Sequence, residues 1–218
     1  MITLLAATAI FLLTHFVPST PLRAALVKTI GEWPYRALYS VVALATLAWM
    51  IAAYADAPRD VLWSGLRFVP LGVMPFAFVL LACGYWRNPT MVGADKLLKS
   101  DEPARGMIRI TRHPLMWAVM LWAGAHILAR GDLKSVVFFG GFLLLAGLGT
   151  LLMDARKQSN PDWARFAAVT SNLPFVAIAQ GRNRFAWREI GWLRPLIGLA
   201  LFTSLVLGHA WLFGAVPY

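Results

Sequence analysis

The chain has 218 residues, of which 59% are hydrophobic and only 14% are charged, and its mean hydropathy is +0.64. Because soluble domains are roughly 45–50% apolar and about 25% charged, this composition excludes an ordinary water-soluble domain. The net charge of +10 would suit nucleic-acid binding in a soluble protein. Here the basic residues fall between apolar segments, which is typical of membrane proteins and argues against a nucleic-acid partner. The sequence therefore predicts an integral membrane protein whose main partner is the lipid bilayer.

Six apolar segments have about the length that a membrane-spanning helix needs, roughly 17–25 residues. They lie at residues 1–17, 37–55, 66–86, 114–130, 133–153 and 192–214. The pair Gly131-Asp132 predicts a sharp turn, and so a tight antiparallel hairpin of the fourth and fifth spans. The expected fold is all-α, a polytopic helical bundle of about six transmembrane helices that forms a single domain over residues 1–218.

Two long polar stretches separate these spans, at residues 86–112 and 154–191. Part of the second stretch alternates apolar and polar side chains, which is typical of a segment on the membrane surface. Its apolar members are Trp163, Phe166, Val169, Leu173, Phe175 and Ile178. The first, third and fifth gaps between spans carry 16 of the 20 Lys and Arg residues. By the positive-inside rule, we expect residues 158–191 to form a cytoplasmic interfacial segment and both termini to lie outside.

Four histidines lie within or at the edge of the predicted spans, namely His15, His113, His126 and His209. A polar side chain in lipid costs free energy and usually has a partner. A single such histidine more often has a structural, hydrogen-bonded role. Several on different helices make a shared cofactor a serious alternative, because two neutral imidazoles are a common axial pair for haem iron.

The densest group of candidate residues is Arg112-His113-Pro114. Pro114 suits the first turn of a helix, so Arg112 and His113 are predicted at the cytoplasmic mouth of the fourth span, where the two polar stretches should converge. Arg112 could bind a carboxylate or phosphate, including a haem propionate or a lipid headgroup, or it could simply anchor the helix end. His113 and His126 are 13 residues apart on one helix, about 20 Å, and cannot ligate one metal together.

Several short motifs occur together along the first 157 residues. They are Thr14-His15-Phe16-Val17-Pro18-Ser19, Arg112-His113-Pro114, Leu121-Trp122, Ala125-His126 and Gly131-Asp132. In this combination the chain resembles the NnrU family of bacterial membrane proteins, which also contains the plant and algal zeta-carotene isomerase, a haem b enzyme. The resemblance implies a bacterial inner-membrane protein that binds haem b through His15 and His126. It also implies either cis–trans isomerisation of an apolar small molecule or a role in nitrogen-oxide metabolism and denitrification.

The predicted topology raises a difficulty for that ligand pair. His15 should lie near the cytoplasmic end of the first span and His126 near the outer end of the fourth, about 15 Å apart in depth. By depth alone, His15 pairs better with His113, and His126 with His209. We keep His15 and His126 as the ligands implied by the resemblance, and His113 as the alternative on physical grounds.

A weaker resemblance is to the isoprenylcysteine methyltransferase group, whose members bind S-adenosylmethionine at the cytoplasmic face. It rests on Arg112-His113-Pro114 at a helix start and on Asp154 and Trp163 after a helical hairpin. The chain departs from that pattern at Met116, where a Tyr is usual, and at Asp154, where a Glu is usual. A methyltransferase-like enzyme is thus the second hypothesis, and a non-catalytic membrane partner or assembly factor is the third.

Overall fold

The structure is a computed structural model that describes residues 1–217, and it is helical, with no β-strand among those residues. Six long helices alternate with short helices and turns. The helices are α1 (Ile2–Phe16), α2 (Pro21–Ile30), α3 (Glu32–Asp56), α4 (Val69–Gly84), α5 (Pro114–Arg130), α6 (Leu133–Lys157), α7 (Pro161–Ala168), α8 (Val176–Ala179), α9 (Trp187–Ile190) and α10 (Leu193–Phe213). The all-α membrane fold is confirmed, and each predicted span coincides with one long helix.

The number of spans is a separate matter. Four segments are long and apolar enough to cross a bilayer, at Ile2–Ser19, Glu32–Asp56, Leu133–Lys157 and Leu193–Phe213. The helices α4 and α5 have 16 and 17 residues, so they rise only about 24 and 26 Å, somewhat less than a hydrocarbon core of about 30 Å. The count of six spans is therefore not confirmed and stays a prediction.

The long helices pack side by side in the order α3, α1, α6, α5, α4 and α10, each in contact with the next. The largest apolar core lies where α1 meets α3 and α6, around Leu4, Phe11 and Met50. The outermost helix α10 instead exposes large apolar side chains such as Leu207 and Trp211. Such faces are what lipid-facing helices present, since lipid replaces water as their solvent.

One end of the bundle, the hairpin end, consists of residues 57–68 and the turn between α5 and α6. The backbone N–H groups of Leu62 and Trp63 both donate to the carbonyl of Gly131, at 2.8 and 3.1 Å. Gly131 has φ +64°, and a Cβ there would lie 2.3 Å from the carbonyl oxygen of Trp63, so glycine is required. The predicted tight hairpin of α5 and α6 is confirmed.

The opposite end, the mouth end, joins the segments 17–31, 85–113 and 158–192. Nη1 of Arg156 donates to the carbonyl of Pro18 at 2.8 Å, and Nζ of Lys157 lies 2.6 Å from Oδ1 of Asp95. The three gaps that carry 16 of the 20 basic residues therefore meet at one end of the bundle, as predicted. Which side of the membrane this end faces stays a prediction.

The amphipathic segment after α6 has a different environment from the one expected. Trp163 and Phe166 of α7 are fully buried against Leu98 and Ile108, so this half of the segment packs on protein instead of facing lipid. The reason is that residues 95–109 fold back under α7 and supply an apolar surface that the sequence pattern does not show. Further along, Leu173 and Phe175 stay more than half exposed, as an interfacial segment requires.

Candidate functional site at the mouth of α5 and α6

A buried histidine and a carboxylate join the start of α5 to the end of α6. Nε2 of His113 lies 2.8 Å from Oδ1 of Asp154, and Nη1 of Arg112 lies 3.4 Å from Oδ2 of the same carboxylate. The side chain of His113 is fully buried, whereas a quarter of the Asp154 side chain is exposed. Since Pro114 begins α5, the local sequence fixes Arg112 and His113 just ahead of the helix, and the α5–α6 hairpin brings Asp154 to them.

The second polar stretch closes over this group. The backbone N–H of Arg112 donates to the carbonyl of Ser171 at 2.9 Å, and its Nη2 donates to the carbonyl of Thr170 at 3.1 Å. Nε1 of Trp117 donates to the carbonyl of Asn172 at 2.9 Å. The predicted convergence of the polar stretches on Arg112 and His113 is confirmed, and it shields the group from bulk solvent.

Two nitrogens of this group have no hydrogen-bond partner among residues 1–217. They are Nδ1 of His113 and Nε of Arg112, and both atoms are buried. Burial lowers the pKa of Arg112, and the negative charge of Asp154 opposes that shift. An imidazole held by a carboxylate, with its second nitrogen unpaired, has the composition of a general acid–base pair.

The other histidines are held in one tautomer. Nδ1 of His15 lies 2.7 Å from the carbonyl of Phe11, and Nδ1 of His126 lies 2.8 Å from the carbonyl of Trp122. His209 makes the same kind of contact, 2.6 Å to the carbonyl of Ala215. A carbonyl can only accept, so Nδ1 carries the hydrogen in each case, and in the neutral imidazole the lone pair lies on Nε2. Histidines that ligate metals are usually oriented in this way.

The structure does not bring His15 and His126 together. The His15 ring packs at a tilt against Phe11. The rings of Phe142 and Trp122 continue from there to His126, with centroid separations of 4.0 to 5.5 Å between successive rings. His126 also packs against Phe139. His15 belongs to the mouth end and His126 to the hairpin end, which agrees with the difference in depth expected from the sequence.

The two alternative pairs stay predictions. His113, the alternative ligand, lies on the same end of the bundle as His15, but its Nε2 is bound to Asp154. Within the described part of the chain, no group of three or more His, Cys, Asp or Glu side chains is arranged to hold a bare metal ion.

A second buried polar group at the mouth end was missed by the sequence reasoning. Nε and Nη2 of Arg109 bind both carboxylate oxygens of Glu189 at 2.8 and 2.9 Å, and its Nη1 donates to Oδ1 of Asn183 at 2.7 Å. The guanidinium also contacts Glu102. Hydrogen bonds from Arg109 lower the pKa of Glu189 to about 2 against the opposing effect of burial. Arg109 and Glu189 are 80 residues apart, and no spacing pattern links them.

These observations define an all-helical membrane protein with one buried and three half-buried histidines and a polar site at one end of the bundle. The chain matches the family described as NnrU protein over residues 3–217, and it belongs to that family. It is 28% identical over 203 residues to the chloroplastic 15-cis-zeta-carotene isomerase of Arabidopsis thaliana, and 26% identical over 193 residues to the protein of the same name in Zea mays.

The alignments with these isomerases cover 86% and 84% of this chain but 54% and 52% of the relatives. The chain thus spans about half the length of the curated relatives it matches. No solved structure matches it. The resemblance to the NnrU family seen in the sequence motifs is confirmed, and the relatives support an isomerase-like membrane protein.

Proposed function

We propose that this protein is a membrane-embedded cis–trans isomerase that acts on an apolar polyene of the zeta-carotene class and uses haem b. The observation that carries the proposal is the pair of apolar-helix imidazoles, His15 and His126, each with Nδ1 anchored on its own helix and Nε2 free. The family and the isomerase relatives supply the substrate class.

His15 and His126 are each suited to ligate haem iron by themselves. Either His15 or His126 would offer Nε2 to iron without losing its backbone hydrogen bond, and that anchor fixes the direction of approach. The two imidazoles are linked only indirectly, through successive contacts of the Phe11, Phe142 and Trp122 rings. When bound, haem b would supply an iron that acts as a Lewis acid or changes redox state.

The chain's own contribution would be to bind and orient the polyene. Around His126, the rings of Trp122, Phe138, Phe139 and Phe142 form a connected aromatic cluster with several edge-to-face contacts. Trp122 and Phe142 are the partly buried members of this cluster, and they would offer dispersion contacts to a conjugated chain. An apolar substrate would arrive through the lipid, without crossing an aqueous phase.

A visible absorption spectrum tests the cofactor. The protein is purified in detergent from haem-replete cells and measured oxidised and reduced. We expect a Soret band that is lost or shifted in His126→Ala or His15→Ala and unchanged in Gly124→Ala, a control on α5 where an added Cβ meets open space. Colourless wild-type protein would overturn the haem proposal, and loss in His113→Ala alone would assign the iron to the mouth end.

The reaction is tested in cells that accumulate 15-cis-zeta-carotene. Expression of the chain should lower the 15-cis fraction, separated by chromatography, and His126→Ala should abolish that change. An unchanged isomer ratio with a normal Soret band would reject zeta-carotene as the substrate and favour a non-catalytic membrane partner. The haem proposal would still stand.

A role in nitrogen-oxide metabolism is the alternative use of the same haem. Haem iron held by one of these histidines in an apolar site would be suited to bind nitric oxide. Titration of the reduced protein with nitric oxide should then shift the Soret band at stoichiometric amounts, and an unchanged band would reject this alternative.

The methyltransferase alternative rests on the mouth. There Arg112 and His113 share the carboxylate of Asp154, so residues distant in sequence do form one polar group. Isothermal calorimetry with S-adenosylmethionine tests it, with Asp154→Asn as the site variant and Asp162→Asn, a part-exposed position at the start of α7, as the control. Absence of heat at millimolar ligand would reject this alternative.

A further inference from the structure

A small basic cavity lies at the mouth end between the end of α4 and the start of α10. It encloses about 160 Å³, and three arginines line it: Arg87, Arg105 and Arg194. The floor is apolar and is made by Cys83, Met107 and Ile190, which pack together in one buried cluster. Pockets for drug-sized ligands are roughly 300–1,000 Å³, so this cavity suits a single small group and not a whole polyene.

The charge inside the cavity is not balanced. Its one acidic lining residue, Glu189, has both carboxylate oxygens occupied by Arg109, and the backbone N–H of Gly106 donates to it as well. Glu102 is shared between Arg105 and Arg109. Together these four arginines and two glutamates leave two positive charges uncompensated around the cavity.

Two of the arginines are free to accept a ligand. Arg87 makes no hydrogen bond or ion pair with any residue from 1 to 217, and its φ of +49° is a left-handed conformation that is unusual outside glycine. The guanidinium carbon of Arg194 lies 5.1 Å from the ring centroid of Trp86, and its Nη1 makes only long contacts of 3.4 Å to the carbonyls of Glu189 and Ile190.

Exposed aromatic residues place the cavity at the level of lipid headgroups. Tyr85, Trp86, Trp187 and Trp192 are each more than half exposed, and each lies within two residues of a lining residue or lines the cavity itself. Tyr and Trp concentrate at the membrane–water interface, where phosphates of the lipids lie. Basic pockets between helices at this level bind anionic headgroups.

We propose that this cavity binds the phosphate of an anionic phospholipid, with Arg87 and Arg194 as its main ligands and the acyl chains running along the lipid-facing sides of α4 and α10. Guanidinium groups bind phosphate through paired, charge-assisted hydrogen bonds. Because α4 is the main neighbour of α10, the lipid would link the start of α10 to the rest of the bundle.

Lipid titration followed by native mass spectrometry tests the proposal. Detergent-solubilised wild-type protein is titrated with phosphatidylglycerol, with phosphatidylcholine and with inorganic phosphate. We expect discrete phosphatidylglycerol adducts, with phosphatidylcholine binding at least about tenfold weaker. Equal binding of both lipids would overturn the proposal, and inorganic phosphate that displaces the lipid at equal concentration would assign the cavity to a free phosphate instead.

Two matched pairs of variants distinguish lipid binding in the cavity from general electrostatic attraction of lipid to the basic surface. Because both guanidinium groups would donate hydrogen bonds directly to the phosphate, Arg87→Gln with Arg194→Gln should weaken the adduct by about tenfold or more. The pair Arg184→Gln with Arg188→Gln removes the same charge from exposed positions outside the cavity and should change binding less than threefold. Equal weakening by the two pairs would overturn the site. If the Arg194 variant does not fold, Arg87→Gln alone still decides, because the Arg87 side chain is exposed and unpaired in the described chain.

Discussion

His113 and Asp154 are joined by a contact of 2.8 Å between Nε2 and Oδ1, which ties the first residue before α5 to the last turn of α6. The contact closes the α5–α6 hairpin at the end opposite its turn. It also leaves the other nitrogen of His113 buried without a partner in residues 1–217.

Removal of the His113–Asp154 contact should destabilise the bundle. Asp154→Asn leaves the fully buried imidazole with a weaker partner, and a hydrogen bond to a charged group is worth about 1.5–3 kcal/mol. We expect a lower thermal midpoint for Asp154→Asn and a larger drop for His113→Ala, which also creates a cavity. The measurement is thermal unfolding in detergent, with Asp162→Asn as the control. A midpoint within error of wild type for both site variants would show that the contact does not stabilise the fold.

Acid should destabilise the mouth end of the bundle by protonating Glu189. Its pKa is lowered from 4.5 to about 2 in the folded protein, so its ionised form stabilises the fold above the unfolded pKa of 4.5. That stabilisation, up to about 3 kcal/mol, is lost as the pH falls from 4.5 through 2. We expect Glu189→Gln to lower the thermal midpoint at pH 7 and to flatten its decline between pH 4.5 and 2. Glu32→Gln, which removes exposed ion pairs, should keep the wild-type slope.

The hairpin end should depend on Asp132. Its side chain is fully buried, accepts a hydrogen bond from the backbone N–H of Ser135 at 2.9 Å, and binds Nε of Arg59 at 3.2 Å. Loss of such an N-cap costs about 0.5–2 kcal/mol, and the unpaired Arg59 adds to it. Asp132→Ala should therefore lower the thermal midpoint more than Asp132→Asn, which keeps an acceptor for Ser135. Asp56→Asn, an exposed position on α3, serves as the control; an equal effect there would refute the capping role.

Close packing of α10 on α4 should require Gly198. A Cβ at this position would lie 2.6 Å from the carbonyl oxygen of Phe78, a backbone atom that cannot move without shifting α4. Overpacking of this kind costs typically 1–3 kcal/mol. We expect Gly198→Ala to lower the thermal midpoint and to speed proteolysis between α9 and α10. Gly149→Ala on α6, where an added Cβ meets open space, should behave like wild type. Unchanged proteolysis in Gly198→Ala would mean that α10 tolerates the displacement.

The positions of the four histidines could be predicted from the sequence, but their hydrogen-bond partners could not. The sequence identified His15, His113, His126 and His209 as polar residues in or near apolar helices that need partners. It could not assign those partners. His15 and His126 each use the carbonyl four residues earlier, His209 uses the carbonyl of Ala215, and His113 uses a carboxylate on another helix. No sequence pattern distinguishes these three kinds of partner.

By itself, the sequence determined the membrane class, the positions of the long helices, the Gly131-Asp132 turn and the segregation of basic charge to one end. These follow from local properties: apolar length, glycine at a left-handed position, and charge counted by segment. Tertiary structure alone decided that Trp163 and Phe166 are buried, that Asp154 meets His113, that Glu189 neutralises Arg109, and that aromatic rings separate His15 from His126. Such pairings depend on which helices are neighbours and at what height, and no periodicity within one segment carries that information.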